Sequence, residues 1–201
     1  GSKPIIEHNI DNLISFGIKK FYISINYLGN LIKDYFGDGS SKGVEIIYIQ
    51  EDKPLGTAGS LTLISKFKYD EILLINSDLF TDVNIEKMYL NLLKNNSDMV
   101  IASSIYKVDI PFAIFEENNN LIQSFKEKPT YTYPLNAGIY LFKKNLISLI
   151  PLNLFFDITD LMKKAIENNY KLTNDPILGF WIDIGSPADL KRANEIIKIS
   201  N

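Results

Sequence analysis

The chain has 201 residues and a net charge of −3, and it contains no cysteine and one histidine. Its length and its 46% hydrophobic content are typical of one globular domain with a sizeable core. This composition excludes disulfides, thiolate metal sites, a cysteine nucleophile and a histidine-rich zinc site. It also argues against nucleic acid as a partner, because there is no basic cluster, and against a membrane span, because no apolar run reaches about 18 residues.

Over the first hundred residues, predicted helices alternate with short apolar strands. Apolar side chains recur at helical spacing from Pro4, which is favoured in a first turn, to Gly17, which ends the helix. The strands predicted after it are 21–25, 44–49 and 72–75, and the helices are 28–36, 57–65 and 85–95. This alternation predicts a parallel sheet with helices on both faces.

The pattern changes after residue 98. The predicted strands are now 99–106, 113–116, 121–125 and 139–142, with little helix between them. Three consecutive asparagines, 118–120, predict a hairpin turn. Helices are predicted at 157–169 and 190–197. We therefore expect a mixed, partly antiparallel region to follow the parallel half, without a linker between them.

Two isolated aspartates lie just beyond apolar segments. Asp78 follows the predicted strand 72–75, and Asp183 lies in the segment WIDIGSP at 181–187. Open α/β sheets bind ligands at the carboxyl ends of their strands, which is where Asp78 is expected. A lysine, Lys128, follows Glu127 between them. Together they suggest a site for a divalent cation and a phosphorylated ligand, although each aspartate alone is also compatible with a helix cap and Lys128 with a charged turn.

The segment 50–60 joins a predicted strand to a predicted helix and contains Gly56 and Gly59. Glycine allows a ligand to approach the backbone closely, and a helix amino terminus offers free N–H groups. The alternative is a simple strand-to-helix turn with an N-cap.

Five segments, in this order, resemble the sugar-1-phosphate nucleotidyltransferases, also called nucleotide-sugar pyrophosphorylases, and most of all the mannose-1-phosphate guanylyltransferase-like proteins. The segments are LGTAG at 55–59, NSD at 76–78, FKEKP at 125–129, NAGIY at 136–140 and WIDIG at 181–185. The resemblance implies a Rossmann-like three-layer α/β/α fold with a mixed, mainly parallel central sheet, of the GT-A-like nucleotidyltransferase type. The segment FFDITDL at 155–161 is similar to bacterial members that carry paired CBS domains ahead of the transferase domain.

The same resemblance implies roles for particular residues. Asp78 and Asp183 would hold Mg²⁺, the expected cofactor, and Lys128 would bind the phosphate of the sugar phosphate. Magnesium prefers oxygen ligands, so two carboxylates are a suitable pair. The implied substrate-binding residues are Glu127, Asn136, Gly138 and Asp157 on the sugar side, and Gly56 and Thr57, with Gln50 or Glu51, near the base and ribose.

The activity implied is transfer of a nucleoside monophosphate from a nucleoside triphosphate, with GTP preferred, to a sugar 1-phosphate in the cytoplasm. The resemblance leaves a homo-oligomer open. The first alternative is a regulatory module of the same fold that binds nucleotide sugars without turnover. A glycosyltransferase is less favoured, because Asn76 stands where its aspartate-x-aspartate motif has its first acid.

The chain also departs from the family. The family opens with a strand and a glycine-rich loop, G-x-G-x-R, which would precede Lys3. We expect a cloning scar at residues 1–2, because the sequence begins with Gly-Ser and no methionine. Since the loop is missing, we expect residues 3–201 to be one nucleotidyltransferase domain that is truncated at its N-terminus, belongs to a longer protein and is poorly active or inactive. Ser77 stands where glycine is usual, and Phe112-Ala113 replaces a common tyrosine-glycine pair.

Overall fold

The structure is a computed structural model that describes residues 3–200, so the expectation for residues 1–2 lies outside the described residues. The helices are α1 (Ile5–Ser15), α2 (Gly29–Phe36), α3 (Gly56–Gly59), α4 (Ile85–Lys94), α5 (Ile158–Glu167) and α6 (Pro187–Ser200). The strands are β1 (Lys20–Ile25), β2 (Glu45–Gln50), β3 (Glu71–Ile75), β4 (Leu79–Thr81), β5 (Met99–Asp109), β6 (Ile114–Asn118), β7 (Leu121–Lys126), β8 (Thr130–Lys143), β9 (Leu172–Pro176) and β10 (Trp181–Asp183). No helix in this part of the chain is both long enough and apolar enough to cross a membrane.

The central sheet has the strand order β3-β8-β5-β9. Strand β8 is antiparallel to β3 and to β5, whereas β5 and β9 are parallel. Three of the four strands therefore run in one direction, and the predicted mixed, mainly parallel sheet is confirmed. Strand β8 has 14 residues and is much longer than predicted, because its first half is exposed and lacks the buried apolar pattern that marks its second half.

Alternate residues of β8 pack on opposite faces of the sheet. Ile139 and Leu141 belong to a buried cluster with residues of α1 and α4, such as Met88. Tyr140 and Phe142 belong to a second cluster with residues of α3 and α5. A strand with apolar side chains on both faces is the pattern of a sheet that is covered on both sides, and this arrangement is the predicted three-layer α/β/α fold.

Strands β1 and β2 form a separate parallel pair. A cavity of about 850 Å³ lies between β1 and β3, and its lining includes Phe21 and Tyr22 of β1 and Leu73 and Leu74 of β3. The predicted parallel strands thus belong to two sheets: in residues 3–200, β1 pairs with β2 and β3 pairs with β8, but β1 and β3 do not pair with each other. Hydrophobic periodicity predicts strands but does not identify their neighbours.

Two short antiparallel pairs complete the structure. Strands β6 and β7 form a hairpin whose turn residues Asn119 and Asn120 have φ of 51° and 64°, which confirms the predicted turn. Strands β4 and β10, of three residues each, pair beside the central sheet and were not predicted. Runs this short carry no periodicity signal, yet their pairing positions both candidate metal ligands.

Glu7 on α1 is buried and is the centre of a polar cluster that ties α1 to α2 and to the short 3-10 helix at Ser40–Lys42. Its carboxylate accepts hydrogen bonds from the Lys42 ammonium at 2.7 Å and from the Tyr35 hydroxyl at 2.6 Å. The Lys42 ammonium also donates to Asp11 at 2.7 Å. These bonds, that of Lys42 first and that of Tyr35 second, hold the pKa of Glu7 below its ordinary value of 4.5.

We expect Glu7→Gln to lower the free energy of unfolding by about 1–3 kcal/mol at pH 7, because a charge-assisted hydrogen bond is lost in a buried place. Since the folded-state pKa of Glu7 is depressed, its contribution is present above its ordinary pKa and is lost as pH falls through the lowered value. Urea unfolding between pH 7 and pH 3 should therefore show the two proteins converging in acid. Asp70→Asn, at an exposed ion pair with Lys144, is the control and should change little. A stability gap that persists unchanged in acid would contradict this role of Glu7.

Candidate active site

The pairing of β4 with β10 brings Asp78 and Asp183 side by side. Asp78 directly precedes β4, and Asp183 ends β10, where it is opposite Leu79. The N–H of Ile184 donates to the carbonyl oxygen of Asp78 at 3.0 Å. Two aspartates that are far apart in the sequence are thus neighbours along the β4–β10 pair.

Neither aspartate has the alternative structural role that its sequence position allowed. Helix α4 is capped by Asn84, whose side chain accepts from the N–H of Lys87 at 2.8 Å. At the start of α6, the Ser186 hydroxyl accepts from the N–H of Asp189 at 3.3 Å. Asp78 and Asp183 are exposed, and neither carboxylate has a hydrogen bond or ion pair within residues 3–200. Both side chains are therefore available to a ligand.

The two carboxylates repel each other. Partial burial raises the pKa of Asp183, and the negative charges of Asp78 and of Asp189 add to that rise. A divalent cation would relieve this repulsion, and two carboxylate oxygens are donors that suit magnesium. The described part of the chain contains no group of three or more histidine, cysteine, aspartate and glutamate side chains that could hold a metal. The pair therefore fits an ion whose other positions are filled by phosphate oxygens and water.

A cavity of about 460 Å³ adjoins Asp78. On one side it is lined by Asn76, Ser77 and Asp78, and on the other by Gly56 and Thr57. The predicted nucleotide-side residues and one predicted metal ligand thus face the same space. Glu51, which was named with Gln50 as an uncertain candidate, also lines this cavity.

The amino terminus of α3 does not offer the free N–H groups that the sequence suggested. The N–H of Thr57 donates to the Asp157 carboxylate at 3.2 Å, and those of Ala58 and Gly59 both donate to the Phe156 carbonyl at 3.0 Å. The segment is folded against residues that follow it by about a hundred positions, which local sequence cannot reveal. Helix α3 therefore has none of these three N–H groups left for an anion.

Gly56 is required by this packing. Its φ is +73°, and a Cβ there would lie 2.8 Å from the Phe156 carbonyl oxygen and 2.7 Å from Asp157 Oδ1. Alanine would face both a left-handed backbone and a collision with main-chain atoms.

We expect Gly56→Ala to lower the free energy of unfolding by about 2–4 kcal/mol, as the sum of strain at positive φ and a steric conflict. The matched control is Gly43→Ala, because Gly43 lies in the left-handed region with a φ of 68° and a ψ of 29° and has open space around its Cβ position. Its cost should be limited to about 1–2 kcal/mol of backbone strain. Thermal and urea unfolding of both variants checks this, and equal losses would show that the contact with Phe156 does not matter.

Gly138 is held between two asparagines. Its N–H donates to Asn136 Oδ1 at 3.1 Å, and its carbonyl accepts from the N–H of Asn76 at 3.0 Å. Its φ is +73°, and a Cβ there would lie 2.9 Å from Asn76 Nδ2. Asn76 Oδ1 is buried without a hydrogen-bond partner. Asn76 is not among the residues predicted for the site, although a polar residue directly after a buried strand is a signal for a ligand contact.

The remaining candidates lie in two places. Asp157 is the N-cap of α5, and its carboxylate also contacts Thr57. Glu127 and Lys128 lie on the exposed turn between β7 and β8, where Lys128 has a φ of 43°. Within residues 3–200, no hydrogen bond or ion pair connects these two residues to the rest of the site. Gly56, Thr57 and Asp78 thus line one cavity, and Asp157 is bonded to Thr57. Glu127 and Lys128 have no bond to these residues, and the Lys128 ammonium has no hydrogen bond or ion pair in the same described range.

Comparison with known proteins gives a consistent family. The model of a family described as nucleotidyl transferase matches residues 1–199. The chain is 32% identical to the bifunctional protein GlmU of Methanococcus maripaludis, over 96% of this chain and 46% of that protein. It is 29% identical to the probable mannose-1-phosphate guanylyltransferase 1 of Oryza sativa, over 94% of this chain and 55% of that protein. The chain therefore spans about half the length of these curated relatives.

Two further similarities extend over most of the other protein. The chain is 31% identical to the D-glycero-alpha-D-manno-heptose 1-phosphate guanylyltransferase of Campylobacter jejuni, over 93% of this chain and 83% of that protein. Among solved structures, a putative glucose-1-phosphate thymidylyltransferase from Bacillus anthracis superposes with a TM-score of 0.74 at 25% identity, over 98% of this chain and 83% of that one. The similarity thus extends over the fold as well as the sequence.

Proposed function

Because the chain belongs to the nucleotidyl transferase family, we propose that it transfers a nucleoside monophosphate from a nucleoside triphosphate to a sugar 1-phosphate. An oxygen of the sugar phosphate forms a bond to the α-phosphorus, the bond between that phosphorus and the bridging oxygen breaks, and pyrophosphate leaves. The observation that carries the proposal is that Asp78 lines the same cavity as Gly56 and Thr57, while the pairing of β4 with β10 places Asp183 beside it.

Both substrates are anions, so the site has to reduce their repulsion and hold the attack in line. Asp78 and Asp183 would hold Mg²⁺, which supplies charge neutralisation and polarises the phosphoryl group when bound. Lys128, whose ammonium has no hydrogen bond or ion pair among the described residues, would bind the phosphate of the sugar phosphate as a point charge. Asn136, with Gly138 and Glu127, would bind the sugar hydroxyls, and Gly56 and Thr57 would contact the base and ribose.

The finer identity of the substrates is also part of the proposal. GTP is the preferred triphosphate, and a mannose or heptose 1-phosphate the preferred sugar, because two similar proteins carry the name guanylyltransferase for such sugars. The proposed location is the cytoplasm, because nucleoside triphosphates and sugar phosphates are available there. The similar structure named as a putative glucose-1-phosphate thymidylyltransferase keeps another sugar and another base open to the test.

The test is a panel assay on the full-length protein. Pyrophosphate release is measured with each nucleoside triphosphate and with the 1-phosphates of mannose, heptose, glucose and an amino sugar, with magnesium and with excess EDTA. We expect pyrophosphate release with one combination of triphosphate and sugar 1-phosphate, and we expect excess EDTA to stop that release. Tight binding of a nucleotide sugar without any release would instead favour the non-catalytic regulatory module.

A further inference from the structure

We propose that Glu51 and Asp157 are positioning residues that together hold the segment 55–59 against the nucleotide side of the cavity. The inference rests on the proposed function, since it assigns these two carboxylates to that site. It differs from the role that the resemblance implies for Asp157, which is contact with the sugar.

Glu51 connects three parts of the structure. It directly follows β2, and its N–H donates to the Ile25 carbonyl at the end of β1 at 2.9 Å. Its side chain accepts from the N–H of Leu55 at 2.9 Å through Oε2 and from the Ser24 hydroxyl through Oε1. Both carboxylate oxygens are therefore used by the protein, and they fix the start of the segment 55–59 to the ends of β1 and β2.

Asp157 holds the other end of the same segment. Its Oδ1 accepts from the N–H of Thr57 at 3.2 Å and from the Thr57 hydroxyl at 3.3 Å. At the start of α5, the N–H of Asp157 donates to Asp160 Oδ2 at 3.2 Å, and the N–H of Asp160 donates to the Asp157 carbonyl at 3.1 Å. Next to it, the N–H of Phe156 donates to the Leu55 carbonyl at 2.8 Å. The Asp157 carboxylate is thus already engaged with main chain and side chain of its own protein.

Leu55, the residue that Glu51 holds, is also 1% exposed and anchors the segment in the core. Gly56 and Thr57 face the cavity, as does Asp78 across it. A triphosphate bound there would meet a preformed backbone surface, which lowers the ordering cost of binding. Loosening that surface weakens binding of the ground state and of the transition state alike, so the effect is expected in KM and not in kcat.

The experiment compares Glu51→Gln and Asp157→Asn with wild type in the full-length protein. Asparagine is a good N-cap, so Asp157→Asn keeps α5 capped. We expect the KM for the nucleoside triphosphate to rise about tenfold in each variant, because a charge-assisted bond to the segment is lost. The kcat and the KM for the sugar 1-phosphate should stay within about twofold, and amide hydrogen exchange should accelerate at Leu55 in the first variant and at Thr57 in the second. Glu45→Gln on the exposed side of β2 is the matched control and should change none of these.

Three other outcomes would each overturn the inference, and the last of them would overturn the proposed function as well. A rise confined to the KM for the sugar 1-phosphate in Asp157→Asn would place that residue in the sugar pocket and overturn the inference. An unchanged triphosphate KM in Glu51→Gln, with an active wild type, would overturn it as well. A wild type that transfers nothing from any triphosphate would overturn the proposed function, and the inference with it.

Discussion

Replacing Asp78 or Asp183 by asparagine is expected to lower kcat for pyrophosphate release by at least about a hundredfold, because each change removes a charged oxygen donor beside the reacting phosphates. Neither change should unfold the protein. Both side chains are exposed and have no hydrogen bond in the described residues, and the contact that joins β10 to Asp78 is made by its backbone carbonyl. Asparagine retains one oxygen, so binding of magnesium should weaken but not disappear.

The measurement is a titration with magnesium at saturating substrates, in wild type and both variants. The half-saturating magnesium concentration should rise in both, and thermal unfolding should be unchanged. Glu167→Gln, an exposed glutamate on α5, is the control for removal of one negative charge and should keep its wild-type rate. If both aspartate variants kept normal rates and normal magnesium dependence, the pair would not be the metal site.

The closeness of Asp78 and Asp183 shows what the sequence could and could not predict. The strand before Asp78 was predicted almost to its ends, 72–75 against Glu71–Ile75, because a continuous apolar run is a strong local signal. The contact with Asp183 depends on the three-residue strands β4 and β10, whose pairing is a tertiary event without a local pattern. Their positions after apolar segments suggested one cation site in advance, and the resemblance to a family assigned both aspartates to it.

The segment 55–59 shows a second limit. Its glycines were recognised as a place of close approach, and Gly56 does have a positive φ. What approaches Gly56 in the structure is Phe156 and Asp157 of the same chain, which a sequence pattern cannot distinguish from a ligand. The sequence does not predict the contact between Glu51 and Ser24, because a glutamate after a strand and a serine within one are common on any surface.

Lys128 gives the second large expected effect. We expect Lys128→Ala to lower kcat/KM for the sugar 1-phosphate by about ten- to a hundredfold, mainly through KM, because an ammonium that pairs with phosphate is lost. The KM for the triphosphate should change little. Lys128 has a φ of 43°, but alanine keeps the Cβ, so the backbone strain is the same in both proteins.

Two further variants separate charge from geometry at this position. Lys128→Arg keeps the charge, so it should recover part of the affinity, and it should reduce the loss most at low ionic strength, where unshielded charges interact over longer distances. Lys107→Ala removes an exposed lysine from β5 and should leave both KM values unchanged. The turn that carries Lys128 is connected to the rest of the site by no hydrogen bond or ion pair in residues 3–200. A sugar phosphate that binds both Lys128 and the Asp78–Asp183 pair would therefore connect this turn to the rest of the site. If Lys128→Ala leaves the KM for the sugar 1-phosphate unchanged, this turn is not part of the substrate site.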